Sequence, residues 1–238
     1  MQMSFAAARQ HMIESQIRTN KVLDERLIEA MSELPREAFV PEALRSRAYV
    51  DDDLALGQGR HLIEPMVIAR LLQAADVRAT DNVLVVAAGT GYTAALLAKL
   101  ASSVVAVEAE RSLGDQAIAA LARLGIANVV WQTSNPAEGA AKQAPYDVIL
   151  VDGAVEEVPQ ALLDQLGEGG RLVTVRRDER LGHAVLLQKD RGSVAARVLW
   201  HYYAVQLSRA KAAKADGKSA AKKNEKAKRR VRKKSARS

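Results

Sequence analysis

The chain has 238 residues, no cysteine and only 4% aromatic residues. That allows one α/β domain with a core of Leu, Val, Ile and Ala, and it excludes disulfides, thiolate catalysis and Cys-ligated metal. The net charge of +7 is unevenly spread: residues 209–238 carry 14 Lys/Arg and 2 Asp/Glu, whereas residues 1–208 carry 21 and 26, a mildly acidic domain followed by a strongly basic tail. Met1 to Arg18 lacks the continuous apolar stretch of a signal peptide, and no run approaches ~18 apolar residues, so a cytoplasmic protein without a membrane span is expected.

Ser4 can cap a helix running to about Arg18, with Phe5, Ala8, Met12 and Ile13 at helical spacing. Asp24 can cap the next, with Leu27, Ile28, Met31 and Leu34 on one face and Pro35 at its end. Phe39-Val40-Pro41 reads as extended and Glu42 to Arg47 as a short helix. Residues Asp51 to Glu64, with Gly57 and Gly59, read as an ordered loop. Pro65 opens a helix to about Ala75. Strands are then expected at 82–87, 103–108, 128–132, 146–151 and 170–176, and helices at 91–100, 111–124 and 158–166. Two further strands, at 183–188 and 196–206, are joined by a turn at Asp190-Arg191-Gly192. This alternation predicts an α/β domain over residues 1–208, its mostly parallel sheet covered by helices on both faces and preceded by an N-terminal helical extension. Beyond residue 208 the low-complexity tail has little to bury, and disorder is expected.

The most informative segment is Val83-Leu84-Val85-Val86-Ala87-Ala88-Gly89-Thr90-Gly91-Tyr92, an apolar strand running into a glycine loop and a helix. Nineteen residues after Gly89, a second apolar strand ends in Glu108. Such a βαβ unit holds a nucleoside. Glycines admit the ligand close to the backbone, the helix N-terminus offers N–H groups, and the acid reaches the ribose hydroxyls. Ala87 and Ala88 stand where such a loop would welcome glycine.

Other segments carry a resemblance. Met12-Ile13-Glu14-x-Gln16, Pro35-Arg36-Glu37-x-Phe39-Val40-Pro41-Glu42, Ala48-Tyr49 and Leu56-Gly57-x-Gly59, with Leu124-Gly125, Pro145-Tyr146-Asp147 and Gly169-Gly170-Arg171-Leu172-Val173, make the chain resemble the protein-L-isoaspartate O-methyltransferase family over roughly residues 9–176. The resemblance implies a doubly wound, seven-stranded class I methyltransferase sheet and S-adenosyl-L-methionine as methyl donor. It also implies, as acceptor, the carboxylate of an L-isoaspartyl residue in a damaged protein or peptide, whose methylation permits repair. A carboxylate is already a nucleophile at neutral pH, so such a site needs positioning and exclusion of water rather than a general base.

On this reading the cofactor lies against Ala87, Ala88, Gly89, Thr90, Gly91 and Tyr92, with Glu108 on the ribose and Asn135 near the adenine, where the family has Gly-Asp-Gly in place of Ser134-Asn135-Pro136. The family typically reads Gly-x-Gly-Gln-Thr-Ile-Ser-Gln-Pro where this chain has Gly57-Gln58-Gly59-Arg60-His61-Leu62-Ile63-Glu64-Pro65. Ile63 thus takes the position of the serine that contacts the reacting carboxylate, and Arg60 and His61 are the candidates to attract that carboxylate instead. Asp147 is expected to be structural. Asp152, at the carboxyl end of its strand, either faces the substrate or serves a turn with Gly153. No metal site is expected, and a monomer is. Two other readings stand beside the enzyme: a family member acting as a binding module, and a nucleic-acid-associated protein using residues 209–238. The tail's charge suits nucleic acid or an anionic surface, without aromatic side chains for base stacking.

Overall fold

The computed structural model describes residues 3–178 and 181–202. Helix α1 (Phe5–Met12) is capped by the Ser4 side chain, which accepts from the Ala7 N–H. It continues as a π turn over Ile13–Ile17 and a 3-10 turn over Arg18–Asn20, so the expected single helix changes pitch midway. The Asp24 carboxylate caps α2 (Glu25–Glu33), and α3 (Pro65–Ala75) opens on proline and ends at Asp76 in the left-handed region.

Segment 51–64 is more regular than an ordered loop. Leu54–Gly57 forms β1 and Arg60–Leu62 forms β2, an antiparallel pair turning at Gly57, Gln58 and Gly59, all with positive φ. Glycine at the first and last of these takes such a turn without steric penalty.

The main sheet has seven strands in the order β5-β4-β3-β6-β7-β8-β9. They are β3 (Asn82–Val86), β4 (Ser103–Glu108), β5 (Val129–Thr133), β6 (Tyr146–Val155), β7 (Leu166–Arg177), β8 (Gly182–Asp190) and β9 (Ser193–Tyr202). The first five in chain order are parallel, and β8 and β9 close one side as antiparallel neighbours. Helices α4 (Tyr92–Leu100) and α5 (Arg111–Arg123) connect β3 to β4 and β4 to β5. The expected helix at 158–166 is only the short α6 (Gln160–Asp164), because β7 already begins at Leu166. The expected strand 196–206 begins earlier, at Ser193. Its last four residues and the basic tail lie outside the described residues.

Strands β3, β4 and β6 read as unbroken apolar runs because both faces of the sheet are covered. One core packs Val83, Val85, Val104 and Val148 against the N-terminal helices, α4 and α5; the other packs Leu84, Val86, Val105 and Ile149 with Leu162 of α6. Strand order reverses direction at β3, which has β4 on one side and β6 on the other. Open parallel sheets bind ligands beyond the carboxyl ends of the strands at such a switch point. Ala87 follows β3, Glu108 ends β4, and Asp152 lies in β6 just past Val151, where its pairing with β3 stops.

Candidate active site

The loop after β3 is shaped by three residues in the left-handed region: Ala87 (φ 61°), Gly89 (φ 55°) and Gly91 (φ 91°). Side chains there would also be tightly placed: a Cβ on Gly91 would lie 3.0 Å from the Ala117 Cβ, and one on Gly89 would lie 3.1 Å from Leu56 Cδ1, the movable end of a side chain. Ala87 adopts its φ with a Cβ, at a cost of about 1 kcal/mol. Gly91 opens α4 without a side-chain cap, leaving the first-turn N–H groups for other partners.

The loop is covered. Residues 87–92 are all buried. Leu56 of the β1–β2 hairpin lies against Gly89, and the Thr90 hydroxyl donates to the Phe39 carbonyl. Tyr92 packs edge-on to Phe39, and the Arg36 guanidinium sits over its ring at 4.8 Å. The N-terminal lead-in is therefore the roof of the site.

Glu108 is fully buried at the end of β4. Its carboxylate accepts from the N–H groups of Gly89 (2.9 Å), Ala109 (2.8 Å) and Glu110 (3.1 Å). The Gly89 bond joins two of the residues expected from sequence to bind the cofactor. Arg60 also reaches this carboxylate, with Nη2 at 3.0 Å from Oε1 and Nε at 3.2 Å from both oxygens. Arg60 is itself buried, so this is an internal ion pair, whereas the sequence placed Arg60 among the groups offered to the acceptor.

Ile63 is 1% exposed and belongs to the larger core. Its backbone carbonyl accepts from Arg36 Nη2 at 2.6 Å, while Arg36 Nε donates to the Ala48 carbonyl at 2.8 Å. Arg36 is completely buried, and desolvation pulls its guanidinium below the ordinary arginine range, opposed by Tyr92, Asp152 and Asp53. In the sequence Arg36 stands out only as part of a lead-in motif. Its signal was an arginine in the apolar surroundings of Leu34, Phe39 and Val40. His61 alternates with Arg60 along β2 and is half-buried, its Nδ1 without a hydrogen-bond partner, and burial lowers its pKa.

Two further acids face this group. Asp152 is buried at the end of the core stretch of β6. Burial pushes its carboxyl up to about 6, with Glu108 adding to the rise and with Thr93, Arg36 and Arg60 opposing it. Asp53 is likewise pushed up to about 6 by burial, although its Oδ1 accepts from the Glu64 N–H at 2.9 Å. Asp147, by contrast, accepts from the Asn82 N–H at 2.8 Å and fastens β6 to β3, the structural role expected of it.

The loop after β5 meets the site through the Ser134 N–H, which donates to the Glu108 carbonyl. Asn135 is turned into its own 3-10 turn. Its Oδ1 accepts from the Ala137 N–H, and its Nδ2 donates to Glu138. The neighbouring Ser134 hydroxyl is buried with no hydrogen-bond partner. Buried polar atoms are nearly always satisfied, so this hydroxyl just beyond the end of β5 is available to a polar ligand. Together with Glu108 on Gly89 and the uncapped start of α4, this donor and acceptor set fits a nucleoside bearing an amino-acid-like arm.

The family model for protein-L-isoaspartate(D-aspartate) O-methyltransferase matches residues 7–211. A protein-L-isoaspartate O-methyltransferase of Methanoculleus marisnigri is 40% identical over 186 residues, covering 78% of this chain and 84% of that protein. One of Koribacter versatilis is 41% identical over 188 residues, covering 79% and 85%. A solved protein-L-isoaspartate O-methyltransferase superposes with a TM-score of 0.73 at 27% identity, over 83% of this chain and 65% of that one. A Plasmodium falciparum structure, described as such an enzyme in complex with S-adenosyl-L-homocysteine, shares the fold with a TM-score of 0.72 at 18% identity, over 86% and 98%. This chain belongs to the protein-L-isoaspartate(D-aspartate) O-methyltransferase family.

Proposed function

We propose that this protein is an S-adenosyl-L-methionine-dependent carboxyl methyltransferase that esterifies L-isoaspartyl residues of damaged proteins. The observation that carries the reading is the buried Glu108 carboxylate joined to the Gly89 N–H at the switch point of the sheet. Family membership supports the donor and the acceptor class.

In this reading Gly89, Gly91, the first turn of α4 and Glu108 hold the amino-acid arm and ribose, and the Ser134 hydroxyl lies toward the base. The cofactor supplies an electrophilic methyl group on a sulfonium. The chain contributes position and dryness: the β1–β2 hairpin and the Phe39–Tyr92 contact roof the loop, and Arg36 fixes the backbone at Ile63, beside which the acceptor is received. The acceptor carboxylate attacks in line without losing a proton, so no basic side chain is required. Ile63 provides no hydrogen bond to it, which costs transfer about 10- to 150-fold relative to a hydroxyl at that position.

Calorimetric titration with S-adenosyl-L-homocysteine tests the cofactor half of this reading. Wild-type protein is expected to bind and Glu108→Ala to bind at least 10-fold more weakly. Absence of binding at millimolar ligand refutes it. The domain of residues 1–208 acts as a monomer in the cytoplasm in this account, supported by a site assembled from elements of one chain. Residues 209–238 add weak, salt-dependent attraction to nucleic acid or an anionic surface, supported by their charge. Equal nucleic-acid retention with and without that segment at low salt refutes the last point.

A further inference from the structure

We propose that Arg60 is an internal stand-in for the cofactor ribose, exchanged from Glu108 to the acceptor carboxylate when the cofactor binds. The inference rests on the cofactor reading above and adds an order of binding to it.

The Glu108 carboxylate has a limited capacity to accept hydrogen bonds. Two carboxylate oxygens offer about four good acceptor directions. The N–H groups of Gly89, Ala109 and Glu110 take three of them, and these are part of the fold of the two loops. Ala109 and Glu110 both donate to Oε1 and Gly89 to Oε2, so the remaining direction is on Oε2; Arg60 Nε occupies it at 3.2 Å while also lying 3.2 Å from Oε1, where Nη2 adds a further contact at 3.0 Å. A ribose diol needs that same remaining capacity, so ribose and the Arg60 guanidinium compete for one carboxylate. The pair is enclosed by protein, so separating it is costly unless each buried charge gains a new partner.

The position of Arg60 gives the displaced guanidinium somewhere to go. It lies in the three-residue strand β2, three positions before Ile63, on a hairpin that turns through Gly57, Gln58 and Gly59. A planar guanidinium pairs with a carboxylate through two parallel hydrogen bonds. Once Glu108 is taken by ribose, an incoming isoaspartyl carboxylate is the partner that replaces it. Cofactor therefore binds first and creates the charge that the acceptor needs, in a site where Ile63 supplies no hydroxyl.

The test uses full-length protein, S-adenosyl-L-homocysteine and a short isoaspartyl peptide, with Arg60→Ala and Arg60→Gln as variants. Gln retains a neutral donor and guards against failure of the Ala variant to fold. Calorimetry is expected to give about 10- to 150-fold tighter S-adenosyl-L-homocysteine binding in the variants than in wild type, the worth of one hydrogen bond to a charged group. Peptide affinity is expected to rise at least 10-fold on adding S-adenosyl-L-homocysteine to wild type, and to be unchanged by it in Arg60→Gln. Equal or weaker ligand binding in both variants overturns the proposal while leaving the cofactor reading intact, as does peptide affinity indifferent to S-adenosyl-L-homocysteine in wild type. Absence of binding in all three proteins overturns both.

Discussion

Replacing Asp152 by Asn removes a carboxyl that the fold holds in an unfavourable state. Burial raises its pKa from an ordinary 3.8 to about 6. The sign follows from linkage: the folded protein binds this proton more tightly than the unfolded chain, so the associated stability is present below about pH 4 and is lost as pH rises through 6. The full difference is roughly 3 kcal/mol, from about 1.4 kcal/mol per pKa unit. Between pH 8 and pH 5 about 1.4 kcal/mol of it is recovered. Asn is neutral throughout, so Asp152→Asn is expected to have a flatter stability profile than wild type by that amount. It is also expected to be the more stable protein at pH 8, less whatever Arg36 loses with this counter-charge. Urea unfolding at pH 5 and pH 8 measures both. Asp53 contributes the same background slope to each protein and cancels in the difference. Parallel profiles for the two proteins would refute the assignment of Asp152 as a buried, proton-binding acid.

Ala87→Gly relieves a left-handed alanine and is expected to raise the melting temperature by about 2–4 °C for about 1 kcal/mol; a lower melting temperature contradicts the strain argument. Ile63→Ser is expected to cost about 2–5 kcal/mol of stability, because the side chain is in the core, while raising kcat/KM for an isoaspartyl peptide about 10- to 150-fold. A folded variant with unchanged kcat/KM argues that the acceptor does not reach this position. Arg36→Met removes the bonds to the Ala48 and Ile63 carbonyls and is expected to cost at least about 3 kcal/mol in urea unfolding, with Arg36→Lys intermediate, since an ammonium is a single point charge.

The sheet was legible where burial on both faces writes itself as an apolar run, as in Val83–Val86, Val104–Val107 and Val148–Val151. The glycine loop and Glu108 were legible for a related reason: their chemistry is local to a single βαβ unit. What the sequence did not disclose are partnerships between distant residues. Arg60 and Glu108 are 48 residues apart, and nothing in the periodicity of either segment announces that the hairpin folds down onto the end of β4. The hairpin itself was read as loop because strands of four and three residues are too short to show alternation. Arg36 hid in a lead-in motif because its role depends on the carbonyls of Ala48 and Ile63, brought together only by the tertiary fold. Asn135 stands at the position of the aspartate in the family's Gly-Asp-Gly, which is why it is the residue expected near the adenine. In the structure its amide caps a turn, and the neighbouring serine hydroxyl is buried without a partner.

Carboxyl methyl transfer is the reaction proposed beyond the carboxyl ends of β3 and β4. The most direct measurement offers radiolabelled S-adenosyl-L-methionine and two peptides, one with an L-isoaspartyl residue and one with aspartate at the same place. Base-labile methyl ester on the isoaspartyl peptide alone, lost in Glu108→Ala, is the result predicted. Label on neither peptide from a protein that binds S-adenosyl-L-homocysteine, or equal label on both, would contradict it.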